Sequence, residues 1–75
     1  DYCDCMLINC HDPFHERWGA DDVEARNACA AEASQWPVAG SPQTSGDSLE
    51  CRQHQCEQVA TQNATCDDAL GAACQ

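Results

Sequence analysis

Apolar positions gather at the N-terminal end of the chain and then recur at helical spacing in two further stretches. Residues 2–10, YCDCMLINC, are the most apolar run. Cys3 and Cys5 alternate with Tyr2, Asp4 and Met6, a period of two that predicts a short strand, although so short a run also fits a helical turn. Pro13 restricts Asp12 and offers no N–H, so His11-Asp12-Pro13 closes this segment and Phe14 to Gly19 reads as loop.

The period then lengthens. Asp21 can cap a helix, with Glu24 three residues on in the manner of a capping box. Asp22 and Glu24 suit the positive end of the helix dipole. Ala25, Cys29, Ala33 and Trp36 follow on one face, with Cys29 placed to bridge inward, and Pro37 stops the helix. Residues 37–47, PVAGSPQTSGD, carry the turn-forming residues of a linker, with room for a short edge strand around Val38. Asp47 with Glu50, or Ser48, can cap a second helix, and Leu49 to Arg52 can instead be a strand leading into it. Cys56, Val59, Asn63 and Cys66 fall on one face of that helix. The tail from Thr65 to Gln75 is Ala-rich, is broken by Gly71 and is anchored by Cys74; a short strand or a helical turn fits it.

The chain has 75 residues, enough for one domain spanning 1–75 with 37–47 as its internal linker. A domain this short buries too little apolar surface to hold itself together unaided. Eight cysteines change that picture: Cys3, Cys5, Cys10, Cys29, Cys51, Cys56, Cys66 and Cys74. An even number at this density reads as a disulfide framework from an oxidising, extracellular compartment. Eight cysteines allow about a hundred pairings, among which spacing does not choose. The chain opens at Asp1 without a charged-then-apolar leader and reads as a mature, secreted form.

The formal net charge is −10, with three Arg and no Lys. That balance argues against nucleic-acid binding through phosphates and adhesion to anionic lipid; a solvated acidic surface accounts for it first, and a cationic partner is the alternative. No run is long enough to span a bilayer, so membrane insertion is not expected, and a monomer is. Asn63-Ala64-Thr65 is a glycosylation sequon, which makes Asn63 a candidate modification site.

The order of the cysteines carries a resemblance. A Tyr-Cys-x-Cys start (Tyr2, Cys3, Cys5) precedes a capped helix bearing Cys29. A linker, Cys51 before a second helix, Cys66 late in it and Cys74 at the end follow. This spacing resembles fungal small secreted cysteine-rich proteins, the KP6 killer-toxin-like effectors. It departs from them in a long interval between Cys5 and Cys29, a long linker before Cys51, and Cys10 with Cys56 as an added pair. The resemblance implies an α+β fold, two helices packed on a short antiparallel sheet, and implies that Cys10 bonds to Cys56. The alternative is an all-α disulfide-stapled bundle of the sort seen in ciliate pheromones.

Candidate chemistry is sparse. His11, His15 and His54 lie near cysteines, but a thiolate nucleophile needs a free thiol, which an even count in a secreted chain does not leave. Cys10, His11, Asp12, His15 and Glu16 offer metal donors, yet Pro13 interrupts the helix that would align the histidines and a bridge would consume Cys10; no metal and no other cofactor is expected. Asp21 with Asp22, and Asp67 with Asp68, sit where helices start, and capping accounts for them. Trp36 lies on a helix stripe and reads as core. Phe14, His15, Arg17 and Trp18 form the expected recognition loop, since exposed aromatics and Arg are favoured at interfaces. The expected function is that of a secreted, effector-like protein that binds a host or competitor protein or glycan without catalysis. The alternatives are a killer-type antimicrobial toxin and a diffusible pheromone-like signal.

Overall fold

An aspartate stands directly before the first apolar run and caps it as a helix. In the computed structural model, which describes all 75 residues, the Asp1 carboxylate accepts the Asp4 N–H at 3.0 Å and opens helix α1, Tyr2–Asn9. Helices α2 (His11–Trp18), α3 (Asp22–Ala33) and α4 (Leu49–Ala60) follow, then a short helical turn at Asp68–Ala72 kinked at Gly71, and no residue lies in a strand. The α+β expectation is thereby corrected. The fold is all-helical and disulfide-stapled, without a sheet at residues 2–10, at Val38, at Leu49–Arg52 or in the tail.

Helix α1 organises the molecule through cysteines two positions apart. Two residues on a helix are rotated by about 200°, so Cys3 and Cys5 point to opposite sides, whereas in a strand both would face one way. Cys3 bonds to Cys29 of α3, and Cys5 bonds to Cys56 of α4. Cys10, at the junction of α1 and α2, bonds to Cys66, and Cys51 bonds to Cys74. The pairing of Cys10 with Cys56 implied by the killer-toxin resemblance is corrected, because Cys56 faces α1 and takes Cys5.

Helix α2 replaces the expected loop. Pro13 is its third residue, within the first turn, where a backbone N–H has no intrahelical partner to lose. Gly19, at φ +128°, ends it. Helix α3 starts as its sequence predicts, with Asp21 accepting the Glu24 N–H at 2.9 Å, and it buries Ala25, Cys29 and Ala33. It stops before Trp36, which sits half-buried between the Tyr2 ring, 5.1 Å away, and the Arg52 guanidinium at 4.5 Å. Helix α4 is capped by Ser48, whose hydroxyl accepts the Cys51 N–H at 3.1 Å. It ends at Ala60, and Gln62 at φ +64° turns the chain, so Asn63 and Cys66 lie beyond the helix.

The tail is drawn back by reciprocal bonds between Thr65 and Asp68, at 3.0 and 3.1 Å. Gly71 follows at φ +125°, where a side chain would be strained and its Cβ would come within 3.3 Å of the Arg52 guanidinium. The core is small: Tyr2, Met6, Phe14, Trp18, Ala25 and Ala69, continued by the sulfurs of Cys3, Cys10, Cys29 and Cys56.

Candidate recognition surface

The four side chains expected to form a recognition loop lie on α2, and the helix divides them between inside and outside. Phe14 and Trp18, four residues apart on one face, are both buried, with ring centroids 5.3 Å apart. The Trp18 indole N–H donates to Glu32 Oε1 at 2.9 Å. Glu32 also takes two bonds from Arg17, Nε to Oε1 at 3.1 Å and Nη2 to Oε2 at 2.6 Å. The Arg17 bond is the chief reason the Glu32 carboxyl lies below the usual carboxylate range and the Arg17 guanidinium above its own. Half-buried His15 lies between the Gly19 carbonyl, 2.6 Å from Nδ1, and Asp22 Oδ1, 2.9 Å from Nε2. This corner therefore joins α2 to α3 and builds the core; of the expected set, Arg17 alone is exposed, and it is held in a bidentate ion pair.

The other candidates also find structural partners. His11 and His15 do align one turn apart, with ring centroids 4.5 Å apart, because Pro13 is accommodated in the first turn. All eight sulfurs are in bridges, so no thiol is available to His11, His15 or His54. Asp21 and Asp68 act as caps. Asn63 is exposed in the turn after α4, where its amide donates to Thr61 Oγ1 at 3.0 Å.

Every arginine is spoken for. Arg17 pairs with Glu32, Arg26 with Asp4 and Arg52 with Asp47. Removing these three carboxylates from thirteen acidic residues leaves ten with no arginine partner. The surface is thus acidic, with each arginine paired to a carboxylate of the same chain, although the buried Arg52 Nε has no hydrogen-bond partner.

No protein-family model, curated protein or solved structure matches this chain. Its size and four disulfides are typical of extracellular proteins. No helix is long and apolar enough to cross a membrane.

One surface feature was not singled out by sequence reasoning. The half-buried face of α4 at Glu50, Gln53 and His54, continued by exposed Glu57, looks across a groove to the linker at Gly40–Gln43. The groove has a volume of about 560 Å³. Its linker wall is fixed by Glu50, whose two carboxylate oxygens accept the Ala39 and Gly40 N–H groups at 3.0 and 2.7 Å. Those N–H groups, Ala39 first, also lower the Glu50 carboxyl's proton affinity. The i, i+3, i+4, i+7 spacing of the α4 face is visible in the sequence; that the linker folds back over it is not.

Proposed function

We propose that this chain is a secreted recognition protein that acts by binding a partner outside the cell and performs no chemistry on it. The observation that carries the reading is the bridge pattern. Three of the four disulfides anchor the first ten residues to the rest of the chain, and no sulfur remains free. A frame so constrained loses little conformational freedom on association, which suits recognition rather than catalysis that depends on moving parts. The acidic surface favours a partner with basic groups.

Among extracellular binders, the all-helical frame favours a diffusible, pheromone-like signal over an effector of the killer-toxin type, because the sheet implied by that second resemblance is missing. A toxin acting directly on membranes is disfavoured by the charge and by the lack of a basic amphipathic helix.

The test uses the oxidised protein carrying a fluorescent label. Saturable binding at nanomolar concentration to the cells that produce it supports the signal reading. Saturable binding confined to other cells turns the reading to an effector. Absence of saturable binding to any cell, or release of dye from anionic vesicles, overturns it.

A further inference from the structure

The groove between α4 and the linker has a chemistry of its own. Its floor includes Leu49 and the edge of Tyr2, and Pro42 contributes from the linker side. The Tyr2 hydroxyl is turned away from solvent to the Ala69 carbonyl, 2.7 Å distant, so the ring contributes an apolar surface. Glu50 and Glu57 stand along the same side of α4, about 10 Å apart on the helix axis. All three arginines of the chain are engaged with other carboxylates, so none neutralises these two. Glu57 is held by the Gln53 amide, which donates to its Oε2 at 3.0 Å. The result is a groove with a small apolar floor at Leu49 and the edge of Tyr2, fixed negative charge along one side and a wall secured by two backbone hydrogen bonds.

We propose that this groove receives a basic segment of the partner protein, whose arginines or lysines lay their aliphatic stems on Leu49 and the edge of Tyr2 and send separate cationic heads to Glu57 and to Glu50. Long basic side chains divide in this way, stem on apolar surface and head toward charge. A purely apolar ligand would leave two carboxylates desolvated without a counter-charge, and an anionic one would be repelled. The acidic corner at Asp21, Asp22 and Glu24 has comparable charge but lines no groove, so it serves as an internal reference.

The inference rests on the recognition reading and adds where and with what chemistry binding occurs. The experiment is a ¹H–¹⁵N NMR titration of the oxidised full chain with the peptide Ac-Arg-Leu-Arg-NH2. Saturable shifts confined to Gly40, Gln43, Gln53, His54 and Glu57 are expected, with a several-fold weaker dissociation constant in Glu57→Gln. The Glu57 side chain makes only the Gln53 hydrogen bond, so that variant keeps the fold; Glu24→Gln, which removes one charge from the acidic corner outside the groove, should retain binding. Shifts of equal size at Asp21–Glu24, or linear shifts without saturation, overturn the groove assignment. Cell binding of Glu57→Gln separates the two readings. If wild-type and variant bind cells alike, the groove proposal falls and recognition stands; if neither binds, recognition itself falls.

Discussion

The Tyr2 hydroxyl donates to the Ala69 carbonyl at 2.7 Å, joining the first residue of α1 to the kinked turn of the tail across 67 positions of sequence. The bond is buried, and Tyr2 is the chain's single tyrosine. Burial pushes its hydroxyl well above the ordinary phenol range, against the lowering influence of Arg52 and Arg17. A raised value means that the folded state holds the proton more tightly than the unfolded one. The associated stability is therefore complete below about pH 10, the unfolded phenol's range, and is lost as pH rises through the higher folded value. Absorbance at 295 nm should show no phenolate in the oxidised protein at pH 11, and a phenolate forming near pH 10 once the bridges are reduced. Tyr2→Phe should lower stability by about 1–2 kcal/mol, read from denaturant unfolding, by leaving the Ala69 carbonyl without this donor.

Trp18 and Arg17 are neighbours in sequence with opposite expected effects. Trp18 is buried against Phe14, so Trp18→Ala should cost about 3–5 kcal/mol and lower the melting temperature sharply. Arg17 is exposed, and Arg17→Ala should cost roughly 1 kcal/mol or less. Equal and small losses in thermal unfolding would mean that Trp18 is not core.

These two residues also show what pattern reading reaches. Helix α3 is legible because cap and stripe agree, Asp21 before Ala25, Cys29 and Ala33; helix α4 is legible only in part, since Ser48 stands among its possible caps but the expected stripe runs on to Asn63 and Cys66, which lie beyond its end at Ala60. Helix α2 was not legible, because a proline at the third helical position reads the same in sequence as one that ends a segment. Helix α1 is ambiguous in the sequence because Cys3 and Cys5 satisfy a period of two and also satisfy a helix that must be crosslinked on two sides. Pairing decides between those, and pairing is a property of the assembled fold. The candidate site suffered in consequence. Once α2 is a helix, Phe14 and Trp18 share its inner face, and the α4 groove exists only because the linker returns to Glu50.

Glu32 gathers the Arg17 guanidinium and the Trp18 indole, and both lower its carboxyl below the usual range. A depressed value gives stability that is present above about pH 4.3, the unfolded carboxyl's range, and is lost as pH falls through the folded value. The melting temperature should decline on acidification below that range. Glu32→Gln keeps an oxygen for Trp18 but loses the charge. It should cost about 0–1 kcal/mol at neutral pH and flatten the acid decline in a series of melts.

The bridge assignments are directly checkable. Non-reducing peptide mapping should recover Cys3 with Cys29, Cys5 with Cys56, Cys10 with Cys66 and Cys51 with Cys74. A peptide linking Cys10 to Cys56 would overturn the arrangement around α1. The double replacement Cys10→Ser with Cys66→Ser should cost about 2–5 kcal/mol, measured by urea unfolding.

The way α1 is crosslinked bears on resistance to proteolysis. Exposed stretches such as the one between α3 and α4 are where extracellular proteases cut. A cleavage there would divide the chain into two pieces that stay covalently joined through Cys5–Cys56 and Cys10–Cys66. The nicked molecule would keep its mass, apart from one added water, and both halves of its helical frame. A single proteolytic event would therefore leave the helical frame in one covalent piece while loosening the linker wall at Gly40–Gln43.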